Sequence, residues 1–313
     1  MTRVGTRGSK LALYQTNLVV DRLKAHIKDI AVHKITTGGD KNRTVPIASI
    51  GGTGVFVKEL EDALINREVD FVVHSLKDMP TGNTPGLTTA SVLDRVDPSD
   101  VLVTREKTDF KSLPSGAKVA TSSRRRIAQL KALRSDLEYV DIRGNVPTRL
   151  KKMEDGQADA IILACAGLMR LELEDHIAYS FKDDECTPAA GQGALAVQCR
   201  ADDEELIKKL SIIDDAEVRE EITAERAFLE VLQGGCSTPI GVRAKYLPDY
   251  RNLTITGCVA SLDGSRLVRQ KLSSDDEDAQ VLGLKLANLM MEGEAKEILE
   301  ELRASKPNAI SPP

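Results

Sequence analysis

The stretch VATSSRRRIAQL, residues 119–130, faces VGTRGSKLALYQ, residues 4–15, as a second copy of one pattern. Each copy opens on a β-favouring run, turns through Ser or Thr beside arginine, and continues with apolar residues at helical spacing. A further pair extends the match, EVDFVVHSLKD (68–78) over QADAIILACAG (157–167), with Asp70 above Asp159. Between these anchors strand and helix patterns alternate. In the first copy AVHKIT reads as a strand, VKELEDALINRE as a helix and VDFVVHSL as a buried strand. In the second, AKVATSS, LEYVDIR and ADAIILACAGL read as strands, with RRRIAQLKAL and VPTRLKKMEDG as helices between them. Such alternation predicts βαβ units on mostly parallel sheets, and a repeat of it predicts two related α/β domains around a cleft. LDRVDPSDVLV (93–103), broken by Pro98, reads as the crossing between them.

The two copies differ in length. Thr6 to Thr121 is 115 positions whereas Asp70 to Asp159 is 89, so the first copy carries about 26 extra residues between its anchors. They fall mainly in TTGGDKNRTVPIASIGGTG (36–54), a Gly- and Thr-rich insertion at a strand end, open to two readings: a lid, or a loop without fixed structure. Past residue 216, EITAERAFLEVL reads as a helix, followed by strand-like GVRAKY, LTITGCVAS and RLVRQKL. DAQVLGLKLANLMMEGEAKEILEEL (278–302) then reads as one long helix, so this third piece is α+β and smaller.

With 313 residues the chain can bury more than one core, and its net charge of −5 gives no global attraction to nucleic acid. An anion site must therefore be a local cluster of cations working against the overall field. No apolar run is long enough to span a bilayer, and MTRVGTRGSK enters a strand pattern without a signal-peptide hydrophobic region, so the expected location is the cytoplasm, away from membranes. The five cysteines (165, 186, 199, 236 and 258) are widely spaced with no C-x-x-C pair, which argues against a disulfide framework and against a metal site.

Where the second copy has apolar LACAG (163–167), the first has HSLKD (74–78). Ligands in parallel α/β sheets bind beyond the C-terminal ends of strands, so Ser75, Lys77 and Asp78 are candidate site residues; a loop-capping Asp beside a solvated Lys is the plainer reading. Arginines collect at the same ends. Arg7 lies in the first strand-to-helix turn, Arg124, Arg125 and Arg126 in its counterpart, Arg143 and Arg149 after the next strand, and Arg170 after the last. Helix N-termini with arginines beside them suit a ligand bearing several carboxylates or phosphates, and without interleaved aromatics single-stranded nucleic acid fits poorly.

Cys165 and Cys258 sit inside apolar strand-like runs, where a thiol acts as a small hydrophobe. Cys236 instead follows two glycines and precedes Pro239, between a helix end and a strand. No His or Asp lies within ten residues of it. The residues alone leave two readings open, a buried structural thiol or a covalent attachment point.

TRGSKLAL, GGTGVFVKELE, VDFVVHSLKDMP, ATSSRRR, LRSDLEYVDIRGNVPTRL, DAIILACAGLMRL, PAAGQGALAVQCR, ITAERAFL and GGCSTPIG occur in an order and spacing that resemble the porphobilinogen deaminase (hydroxymethylbilane synthase) family along nearly the whole chain. The resemblance implies a transferase that deaminates four porphobilinogen molecules, joins them onto a dipyrromethane cofactor and releases linear hydroxymethylbilane for tetrapyrrole synthesis. It implies that Cys236 holds the cofactor by a thioether and that Asp78 is the catalytic carboxylate, with Lys77 assisting charge balance or proton transfer. Arg125, Arg126, Ser75, Lys77, Asp78, Thr121, Ser122, Ser123, Arg143, Gly144, Asn145 and Gln192 would bind cofactor; Arg7, Ser9, Arg143, Arg149 and Arg170 would bind the substrate's acetate and propionate groups. The fold so implied is two periplasmic-binding-protein-like α/β domains around a cleft, plus a smaller α+β C-terminal domain. Domain 1 would comprise 1–94 and 191–212, domain 2 residues 98–187 and domain 3 residues 216–313, the chain recrossing near TPAAGQGALAVQ, as a monomer. Ser49 and Thr53 stand where many bacterial relatives have lysines, which leaves Lys41 or Arg43 to charge the glycine-rich loop; Lys58 remains. Two other classes compete with this reading: a solute-binding module, which needs neither Cys236 nor Asp78, and a thiol hydrolase pairing Cys236 with His74 or His176.

Overall fold

Each of the two repeated segments builds a five-stranded sheet, and each sheet borrows its fourth strand from the far side of a crossover. The computed structural model describes residues 1–38, 57–82, 84–234, 238–247 and 252–305. Lys41, Arg43, Ser49, Thr53 and Cys236 lie outside the described residues.

In the first lobe, β1 (Thr2–Arg7) pairs in parallel with β2 (Ile30–Ile35) and β3 (Phe71–Ser75). β10 (Leu195–Arg200) then runs antiparallel between β3 and β4 (Leu87–Val92), giving the order β2-β1-β3-β10-β4. The second lobe repeats this with β6 (Lys118–Ala120) parallel to β7 (Glu138–Val140) and β8 (Ala160–Ala164). Here β5 (Asp100–Thr104) runs antiparallel between β8 and β9 (Ile177–Ser180), in the order β7-β6-β8-β5-β9. The repeat reaches single atoms. Asp70 Oδ2 accepts from the Arg3 backbone N–H at 2.7 Å, and Asp159 Oδ2 accepts from that of Lys118 at 2.8 Å.

The expectation of mostly parallel sheets is corrected: each sheet has two parallel and two antiparallel pairings, because β5 and β10 enter from the opposite lobe. The segments that cross are 93–99, between β4 and β5, and 181–194, between β9 and β10. At their meeting point Gly193 has φ +92°, and a Cβ there would come within 2.4 Å of the Val96 carbonyl oxygen, so the two segments approach too closely for a side chain.

Helices open where the sequence provides caps. Ser9 accepts from Ala12 N–H ahead of α1 (Lys10–Leu23); α2 is Lys58–Ile65; Ser123 accepts from Arg126 N–H ahead of α3 (Arg124–Leu133). Asn145 caps α4 (Val146–Glu154), accepting from Thr148 N–H at 3.0 Å, with Pro147 in its first turn. ADAIILACAGL is not one strand. β8 stops at Ala164 and a short helix, α5 (Cys165–Met169), begins where the residues become small, so Cys165 sits at a helix start and is still buried.

After α6 (Glu204–Leu210) the chain enters α7 (Ala216–Val231), which packs on the antiparallel sheet of β11 (Ile240–Leu247), β12 (Asn252–Ala260) and β13 (Leu267–Ser274). The expected single C-terminal helix is two, α8 (Ala279–Met291) and α9 (Glu294–Ala304), because Gly293 takes an extended backbone (φ −125°, ψ −157°) that interrupts the hydrogen-bond ladder. Phe228, Leu286 and Met290 fill the core between these layers.

A buried ionic cluster ties this third unit to both crossovers. Arg95 Nε donates to Gln192 O at 2.8 Å, and its Nη1 meets Glu225 Oε1 at 2.6 Å and Glu221 Oε2 at 3.1 Å. Glu225, wholly inaccessible, also accepts from Gly191 N–H at 2.7 Å and Ala244 N–H at 2.8 Å. Charges this deep persist only when paired and hydrogen-bonded, so the cluster fixes α7 and β11 against 93–99 and 181–194.

Candidate active site

A cavity of about 690 Å³ opens between the two repeated lobes, at the C-terminal ends of their parallel strands. β1 delivers Arg7 and, one turn on, Ser9. β3 delivers Ser75 and, in the 3₁₀ turn Leu76–Asp78 that follows it, Lys77 and Asp78. The second lobe supplies Arg126 from the first turn of α3, Arg143, Gly144, Asn145 and Arg149 around the start of α4, and Arg170 just after α5. Gln192 enters from the second crossover. The lining carries seven cations (Arg7, Lys10, Lys77, Arg126, Arg143, Arg149, Arg170) and, among the described residues, one carboxylate, Asp78. In a chain of net charge −5 this is the local cationic cluster that a polyanionic ligand requires.

Other expected residues lie off the cavity lining. Arg125 turns inward, its Nη1 donating to Asp100 Oδ2 at 2.6 Å and to Thr187 O at 2.8 Å. Ser122 Oγ donates to Ile142 O at 2.7 Å, Ser123 is occupied as a helix cap, and Thr121 Oγ1 accepts from Ser123 N–H at 3.3 Å. His74 is buried with its Nε2 3.0 Å from Gln198 Oε1, and Gln198 Nε2 in turn donates to Glu61 Oε1 at 2.9 Å. Burial, with Arg7 adding to it, pushes the His74 imidazole down to about 4. It is neutral and already engaged. His176 lines a separate hollow on the rim with Lys151 and Leu173.

Asp100 is the residue that sequence reasoning missed. It is wholly buried at the first position of β5, where Arg126 Nε and Nη2 donate to its Oδ1 at 3.0 and 2.7 Å and Gln192 Nε2 at 2.8 Å. Burial pushes this carboxyl up, but Arg125 and Arg126 outweigh it and hold the group well below the usual carboxylate range. The available signal was an acid heading the apolar run DVLV.

The cations feel one another. Burial, then Arg126, lower the Lys77 ammonium to about 8 against the opposing pull of Asp78 and Asp100. Burial lowers Arg149 to about 10, with Arg126 and Arg143 contributing, and lowers Arg170 to about 10 as well. Arg170 Nη2 donates to Gly193 O at 2.7 Å, but its buried Nε has no hydrogen-bond partner among the described residues. An arginine left part-satisfied in a cationic cavity is held ready for an anion.

A family model described as porphobilinogen deaminase, dipyromethane cofactor binding domain, matches residues 2–208, and one described as porphobilinogen deaminase, C-terminal domain, matches residues 219–292. The chain belongs to the porphobilinogen deaminase family. A porphobilinogen deaminase from Brevibacillus brevis is 45% identical over 302 residues, covering 96% of this chain and 97% of that protein. One from Nostoc sp. is 45% identical over 307 residues, covering 96% and 94%. Among solved structures, a putative methionine-binding lipoprotein from Bacillus subtilis is similar over 68% of this chain and 89% of its own at 14% identity and a TM-score of 0.43. The cavity fits the family's cofactor, because a dipyrromethane bearing acetate and propionate groups would meet the excess of cations and the unsatisfied Nε of Arg170.

Proposed function

We propose that this chain is a hydroxymethylbilane synthase, condensing four porphobilinogen molecules with loss of ammonia and releasing linear hydroxymethylbilane for tetrapyrrole synthesis. The observation that carries the reading is the cavity: among the described residues, seven cations surround a single carboxylate at the strand ends of two lobes, matching a ligand rich in carboxylates that develops positive charge at one point.

The residues divide by what they can do. Arg126, Arg143, Arg149 and Arg170, with Arg7 and Ser9, bind ring carboxylates of cofactor and substrate, and Ser75, Gly144 and Asn145 orient them; Gln192, its amide hydrogens engaged by Pro98 O and Asp100, offers the ligand only the acceptor Oε1. Ser75 is itself held by the Gln15 amide, 3.0 Å from its Oγ. Bound covalently, the dipyrromethane would supply a free pyrrole α-carbon as nucleophile, and Cys236 is the residue assigned to its attachment by thioether. Asp78 stabilises the positive charge that spreads onto the substrate's pyrrole nitrogen as ammonia departs. Lys77, with its ammonium lowered to about 8, exchanges a proton at Nζ near neutral pH and offsets the charge of Asp78. Thr121, Ser122, Ser123 and Arg125 act behind this layer by shaping the turn into α3.

The three units, 1–94 with 191–212, 98–187, and 216–313, are assigned as domains, and the protein as a cytoplasmic monomer. Among the described residues no helix is long and apolar enough to cross a membrane. Purified protein incubated with porphobilinogen should release one ammonia per molecule consumed and yield one linear tetrapyrrole per four; binding without ammonia release would instead indicate a solute-binding module.

A further inference from the structure

We propose that Asp100 is a positioning residue for this cavity: its buried carboxylate fixes Arg126 and Gln192 and, through Gln192, the ammonium of Lys77 on the opposite lobe. The proposal rests on the reading of the cavity as the cofactor and substrate site.

The geometry is over-determined. Gln192 has two amide hydrogens, and Nε2 donates to Pro98 O at 2.7 Å and to Asp100 Oδ1 at 2.8 Å. Both donors are spent, so Oε1 is left as an acceptor, and Lys77 Nζ lies 3.3 Å from it. Asp100 thereby decides which end of the Gln192 amide faces Lys77. Arg126 gives Nε and Nη2 to Asp100 and Nη1 to Ile162 O at 2.8 Å, leaving one hydrogen on each terminal nitrogen for a ligand. Arg125, one residue earlier, spends its Nη1 on the other Asp100 oxygen and on Thr187 O. One carboxylate thus separates two adjacent arginines into a buried partner and a ligand-facing one, and compensates a charge pair that would otherwise repel.

Its position makes this a coupling between lobes. Asp100 heads β5 at the end of the first crossover, Gln192 lies in the second crossover, Arg126 begins α3 of the second lobe, and Lys77 follows β3 of the first. The charged groups acting on Lys77 are Arg126 and Arg125 from α3, Asp78 from its own turn and Asp100 from β5. Arg7, Lys10, Arg143, Arg149 and Arg170 share the cavity.

The test titrates Lys77 directly, by trace acetylation of the intact, folded chain across pH and mass spectrometry of the Lys77 peptide. Half-labelling is expected near pH 8 in the parent. Asp100→Asn should lower it by about half a pH unit or more, the effect of removing one anion a few ångströms away in a partly wet site, and Arg126→Leu should raise it. An unchanged titration in folded Asp100→Asn overturns the proposal. Should that variant fail to fold, Asp100→Glu retains the charge one methylene further out. It should leave the Lys77 titration near the parent's while raising KM for porphobilinogen about fivefold or more, because Arg126 and Gln192 are displaced. Asp100→Glu with the parent KM also overturns it. Parent protein that never consumes porphobilinogen would sink the functional reading but would leave the Lys77 titration interpretable.

Discussion

Replacing Asp78 with Asn keeps the shape of the side chain and removes the one negative charge that, among the described residues, lines a cavity otherwise set with cations. A unit charge about 4 Å from a developing cation, in a half-buried site of effective dielectric about 20 to 40, contributes on the order of 2 to 4 kcal/mol. That corresponds to a fall in kcat of about 30- to 1000-fold. The loss should appear in kcat and not in KM, because the substrate's carboxylates meet a cavity that has become more positive. Asp78→Glu, which restores the charge one methylene away, should recover part of the rate. The assay is single-turnover addition of porphobilinogen to protein already carrying its cofactor, with covalent species followed by mass spectrometry, so that failure to load is separated from failure to elongate. An Asn variant that adds rings at the parent rate, or one whose whole defect lies in KM, would show that Asp78 only closes the 3₁₀ turn after β3.

Cys165→Ser should still carry the cofactor, since burial, with Asp97 adding to it, pushes that thiol up to about 12 and leaves it unreactive at neutral pH; a missing adduct in a folded variant would contradict this. Arg143→Leu and Arg170→Leu each leave a ligand carboxylate unpaired and should weaken substrate or cofactor binding by about 2 to 5 kcal/mol, read as higher KM or incomplete loading. If the Lys77 cation takes part, the rate should decline as pH rises through about 8 and the group deprotonates, and Lys77→Arg should move that decline to higher pH. Arg95→Leu leaves Glu225 and Glu221 in the core with Arg243 as their remaining ion-pair partner among the described residues, and should destabilise the fold by about 3 to 5 kcal/mol in urea unfolding.

Much of the architecture was legible because the repeat and the period of its apolar residues are local properties. The helix RRRIAQLKAL has the bounds its pattern suggests, and Asp70 and Asp159, aligned by sequence, hold equivalent backbone amides. What escaped was non-local. DVLV by its own pattern reads as part of a connection, and the family resemblance alone puts it in domain 2; that it is an antiparallel strand between β8 and β9 is visible only in the sheet order. The same blindness hid Asp100, whose partners lie 25, 26 and 92 residues away in the chain. It also made Arg125 and Arg126 look equivalent: neighbours on a helix start point in different directions, and one faces the ligand cavity while its neighbour is spent on the core. The polar run at the end of β3 was readable for the opposite reason, since its contrast with LACAG in the other copy needs no tertiary information.

The intact mass of the purified chain, before and after brief exposure to porphobilinogen, reports whether Cys236 carries a permanent primer. The predicted result is a mass above the polypeptide's by one dipyrromethane, mapped by proteolysis to the Cys236 peptide, absent from Cys236→Ser, and followed by a ladder of added porphobilinogen units. A parent chain of bare polypeptide mass that turns over porphobilinogen, or an adduct that persists in Cys236→Ser, would contradict it.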